Sequence, residues 1–189
     1  MIKNIILFFI FLILPNFSLA CDKEDFLKYV SAEKNRCIAL QTIGEINKNK
    51  KNLIIFLHGD LSSGTKPPGK KGYWKLGNEL LSKNVNFFFL ARPGYTLDSG
   101  RKSYGSYKET RKAKTNYKWE KLELVAKAAQ NLKEYYNADN LIMIGHSGGA
   151  LTSATINSRV PKLIDKSILI SCPCDFEKWR KMRGESVYT

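Results

Sequence analysis

"GHSGG", Gly145 to Gly149, stands directly after the apolar run "LIMI" (Leu141–Ile144) and directly before "ALTSATI". This order reads as a short strand, a turn too tight for side chains, and a helix, with Ser147 at the apex. Such a turn exposes the hydroxyl and points the free N–H groups of the helix's first turn at any oxyanion formed beside it. A serine hydroxyl is a weak nucleophile at neutral pH and needs a base within hydrogen-bond reach. The chain holds two histidines, His58 and His146, and the 42 residues after Ser147 hold none.

Outward from the turn, buried strands alternate with helical patterns. "CIALQTIGEI" (Cys37–Ile46) reads as an early strand, and "LIIFL" (Leu53–Leu57) as a strand buried on both faces that ends in "HGD". "SSGTKPPGKKG" is a loop of turn residues; Tyr73, Leu76, Leu80 and Leu81 then recur at helical spacing. "VNFFFLA" (Val85–Ala91) is a second buried strand closed by "RPGY". Leu122, Val125, Ala129, Leu132 and Tyr136 step by 3, 4, 3 and 4 along one helix face. After the Ser147 turn, Ala150, Leu151, Ala154 and Thr155 begin another helix, and "KSILIS" (Lys166–Ser171) is a fourth strand. Strands alternating with helices predict an α/β domain, a mostly parallel sheet with helices on both faces. The stretch Thr96–Lys118 has no apolar period and mixes basic residues with Tyr104, Tyr107 and Tyr117. Without a nucleic-acid-binding signature it reads as a solvated excursion, and no specific nucleic-acid partner is implied.

At 189 residues the chain has room for one domain with a real core. Its first 20 residues are set apart from that domain. Lys3 precedes an unbroken apolar run of ten residues, Ile5–Leu14, too short to span a bilayer and suited to a secretory signal. Ser18 and Ala20 fit a cleavage site that makes Cys21 the first mature residue of a domain over 21–189. The order "SLAC" also resembles a lipoprotein box, with a lipid anchor at Cys21 as the alternative to a free periplasmic or secreted protein. Export permits disulfides among Cys21, Cys37, Cys172 and Cys174, and three connectivities remain open. The spacing C-x-C without a nearby histidine does not suit structural zinc. The formal net charge is +14, and removing residues 1–20 takes away only Lys3, leaving +13. That balance reads mainly as a solvated Lys-rich surface, with peripheral contact to an anionic membrane as its functional alternative.

These residues together resemble the α/β-hydrolase superfamily of serine esterases, lipases and peptidases. "LIIFLHGD" is similar to the strand ending in His-Gly, "FLARPGYTLDSG" to the next strand and loop, "LIMIGHSGGALTSA" to the nucleophile turn, and "KSILISCP" to the strand after it. The resemblance covers about Cys37 to Phe176 and implies Ser147 as nucleophile. It implies the N–H of Gly148 as one oxyanion donor and that of Asp60, or of Leu61, as the other. His58 would order the oxyanion loop, with a base role as a weak candidate, and His146 would be a packing residue. Asp175 is a weak candidate for the acid, or else an ordinary capping aspartate. In this superfamily the acid and histidine follow the serine, so the resemblance implies a chain lacking its last strands, with both groups beyond Thr189.

Two functions follow as expectations. The first is an exported serine hydrolase that takes a small-molecule ester or related acyl substrate through an acyl-enzyme on Ser147. It implies no metal or organic cofactor. The second is an inactive relative whose basic surface binds anionic partners.

Overall fold

A computed structural model describes residues 25–60, 70–80, 84–106 and 117–184. The N-terminal apolar run, Cys21, Leu61, most of the turn-rich loop and the basic stretch 107–116 lie outside these residues. Six strands, β1 (Tyr29–Glu33), β2 (Arg36–Ile43), β3 (Asn52–Leu57), β4 (Val85–Leu90), β5 (Asn140–His146) and β6 (Lys166–Ile170), form one sheet. Its order is β1-β2-β4-β3-β5-β6. The strands β4, β3, β5 and β6 run parallel, while β2 is antiparallel to both β4 and β1. Four helices are described: α1 (Lys70–Leu80), α2 (Trp119–Tyr135), α3 (Gly148–Arg159) and α4 (Phe176–Met182). The strand β1 has no counterpart in the sequence reading, and of the short helix α4 only a capping role for Asp175 is read. Both are too short to carry a clear period.

The continuous apolar runs are explained by two cores, one on each face. In β3, Leu53, Ile55 and Leu57 point into a core shared with Leu124, Val125, Ala128 and Leu132 of α2 and Ile156 of α3. Ile54 and Phe56 point the other way, into a core with Phe87 and Phe89 of β4, against which Leu76 and Leu80 of α1 pack. Since side chains alternate across a strand, a strand covered on both sides has no polar face to show.

The excursion expected from Thr96 to Lys118 is not solvated throughout. Tyr95, Leu97 and Ser103 are buried. The Ser103 hydroxyl donates to the Ala91 carbonyl at 2.6 Å and accepts from the Ala39 N–H at 2.9 Å. Arg101 donates to the Leu40 carbonyl. The loop is thus pinned to β2 and the end of β4 by polar bonds, which leave no apolar period to read. Cys172 is bonded to Cys174. Cys37 is also disulfide-bonded.

Register fixes where the site sits. Leu57 of β3 lies opposite Gly145 of β5, and His146 lies opposite Ile170 of β6. The "HGD" turn, the Ser147 turn and Ser171 therefore leave the sheet side by side at the C-terminal ends of the parallel strands, where open α/β sheets form their crevices.

Candidate active site

Ser147 is the single residue between β5 and α3, with φ 51° and ψ −118°. A non-glycine residue in such a conformation costs about 1–3 kcal/mol and persists only where its surroundings hold it. Here the Ser147 N–H donates to the Ile170 carbonyl at 2.8 Å, and its own carbonyl accepts from Ala150 and Leu151. The flanking glycines are required by close approach. A Cβ on Gly145 would lie 2.5 Å from the Ala150 Cα, and one on Gly149 would lie 2.6 Å from the His58 carbonyl oxygen.

The loop after β3 lies against this turn. A Cβ on Gly59 would come within 3.0 Å of both the Ser147 Cβ and the His146 Nδ1. Asp60 follows, and its Oδ1 would lie 2.9 Å from a Cβ on Gly148. Ser147, Gly148 and Asp60, separated by nearly ninety positions in sequence, are thus brought together.

The Asp60 carboxylate is the centre of a polar cluster that sequence reasoning missed. Its Oδ1 accepts from Arg92 Nη2 and, at 3.1 Å, from the Tyr95 hydroxyl; its Oδ2 accepts from the Tyr117 hydroxyl at 2.5 Å. Arg92 is 2% exposed, whereas the Asp60 side chain is 39% exposed. Burial raises the Asp60 pKa, but the Arg92 charge and the three donors outweigh it and hold the carboxyl below its ordinary range. Burial, together with the Asp60 charge, pushes the Tyr117 phenol well up, against the opposing pull of Arg92. Both groups therefore keep one protonation state near neutrality. The available signals were "RPGY", which placed Arg92 at a strand end, and the tyrosines of the basic stretch. Neither signal says which carboxylate they meet 32 and 57 residues away.

His58 is fully buried, with Nδ1 2.7 Å from the Gly59 carbonyl and Nε2 3.1 Å from the Arg92 N–H. This network assigns the neutral tautomer that donates from Nδ1 and accepts at Nε2. Burial, helped by the nearby Arg92 charge, lowers its pKa to about 3. Both ring nitrogens are occupied, so the ring orders the loop and has no lone pair to offer Ser147. His146 ends β5 half-buried, on the side of Gly59. Asp175 caps α4, its carboxylate accepting from the Lys178 N–H at 3.0 Å. That bond is the capping role weighed above against the acid.

No protein-family model and no curated protein matches the chain. Solved structures do. Est1E from Butyrivibrio proteoclasticus with ferulic acid bound aligns at TM-score 0.60 and 17% identity, over 82% of this chain and 56% of that one. The Pyrococcus furiosus esterase Pf2001 aligns at TM-score 0.60 and 21% identity, over 85% and 56%. The esterase EaEST from Exiguobacterium antarcticum gives 0.52 and 17%, over 77% and 45%. The chain thus spans about half the length of these proteins. Its mixed sheet, two-sided helical cover and strand–Ser147–helix turn make it an α/β-hydrolase fold.

Proposed function

We propose that this chain is part of an exported serine hydrolase that cleaves an ester or related acyl substrate through an acyl-enzyme on Ser147. The observation that carries the reading is the strained Ser147 itself, held at φ 51° on a strand–turn–helix junction with the Gly59–Asp60 loop packed against it. In the proposed reaction the Ser147 Oγ attacks the acyl carbonyl and gives its proton to a histidine. The N–H groups of Gly148 and Asp60 receive the oxyanion. The alcohol leaves with that proton, and water then releases the acid from Ser147. Two of the structures of like fold are esterases, which favours an ester among acyl substrates.

The same reading places the triad histidine and acid beyond Thr189. His58 is fully engaged, and Asp175 is spent on a helix cap. The strand β6 supports this placement. Ile168, Leu169 and Ile170 are 50%, 40% and 38% exposed, so apolar side chains on both faces of an edge strand stand partly uncovered, as suits a strand with further neighbours. The proposal also assigns residues 1–20 to export.

The test is hydrolysis of p-nitrophenyl acetate by the protein purified from its source, with its intact mass measured alongside. The expected result is turnover that falls at least about 10³-fold in Ser147→Ala, in a protein heavier than residues 21–189. Turnover unchanged in Ser147→Ala would defeat the reading.

A further inference from the structure

The Arg92–Asp60–Tyr117 cluster lies against the residue next to Ser147. Gly148 directly follows the serine, and the space a side chain there would fill is taken by the Tyr117 hydroxyl and the Asp60 carboxylate. The carboxylate is gripped from three places. Arg92, immobile in the core just past β4, and Tyr95 hold one oxygen; Tyr117, just before α2, holds the other. Asp60 directly follows Gly59, which rests on Ser147. Fixing both carboxylate oxygens fixes the side-chain torsions of residue 60 and restrains the backbone N–H that the proposed reaction uses. The charges also balance. A lone carboxylate beside a developing oxyanion would oppose it, whereas one paired to a buried guanidinium presents a much weaker field.

We propose that Tyr117 is a positioning residue for acyl transfer: with Asp60 and Arg92 it clamps the loop after β3 so that the Asp60 and Gly148 N–H groups address one oxyanion. This rests on the reading of Ser147 given above. Gly148 lacks a side chain because the phenol occupies its place, so positions 117 and 148 act as a unit.

The test uses the full protein from its source and the variants Tyr117→Phe, Gly148→Ala and their double. The readouts are the rate of fluorophosphonate labelling, kcat and KM on p-nitrophenyl acetate, amide exchange at Gly59 and Asp60, and thermal unfolding. Loss of the phenol's proton should slow labelling about 10- to 100-fold, the scale of a small misalignment. It should lower kcat on p-nitrophenyl acetate by the same factor with KM unchanged, and speed exchange at Gly59 and Asp60 while global unfolding moves little. The double variant should be no slower than the worse single one. Labelling and exchange both at wild-type values in Tyr117→Phe would overturn the clamp. If the wild type is not labelled at Ser147, the serine reading fails separately. Exchange then decides the clamp alone: faster in Tyr117→Phe upholds it, and unchanged refutes it.

Discussion

His58 stays neutral because every direction around it is occupied. Its ring is enclosed between Phe89 and Tyr95, and both nitrogens are hydrogen-bonded. Its pKa is about 3 in the fold against an ordinary 6.5. Between those values the unfolded chain binds a proton that the folded chain refuses. The stability it supports is fully present above pH ~6.5 and is lost on acidification toward pH ~3, at up to about 1.4 kcal/mol per pH unit. Urea unfolding at pH 7 and pH 5 should show this loss, and His58→Asn should flatten it. An equal pH slope in the two proteins would contradict the neutral assignment. At this scale the turn around Ser147 was legible in the sequence, because tight turns leave glycine signatures. The sequence could not reveal the Asp60 side-chain partners, because Arg92 and Tyr117 reach it only through the fold.

At the scale of elements, β3, β4 and β5 were legible because strands buried on both faces are written as unbroken apolar runs, and β6 carries such a run without that burial. The helix α2 was legible because one face of it is Leu and Ala at a 3–4 spacing. The Ser103 loop was not, since it is held by hydroxyl and guanidinium bonds to carbonyls. The strand β6 has the same apolar composition as its buried neighbours but is only partly covered, with Ile168 and Ile170 left 50% and 38% exposed. In this 189-residue chain, Ile168→Lys should therefore change stability by less than about 0.5 kcal/mol and reduce self-association, read by size-exclusion chromatography. The charge blunts an exposed edge. In a longer source protein whose added strands cover β6, the same change should bury a lysine and unfold it. If the two proteins respond alike, the proposed cover is wrong.

For the molecule as a whole, the parallel register gathers His58, Gly59 and Asp60, the Ser147 turn and the end of β6 at the C-terminal ends of the parallel strands. That gathering needs the strands to run parallel, which the alternation of strands and helices already implied, and it needs their order, which the fold supplies. The antiparallel pair of β1 and β2, beside β4, needed the fold to place it. The measurement that most directly tests the account is the site of fluorophosphonate attachment on the protein from its source, mapped by peptide mass spectrometry. A single adduct on Ser147, absent from Ser147→Ala, is the expected result. A source protein that stays unmodified at Ser147, under conditions that fully label a control serine hydrolase, would contradict it.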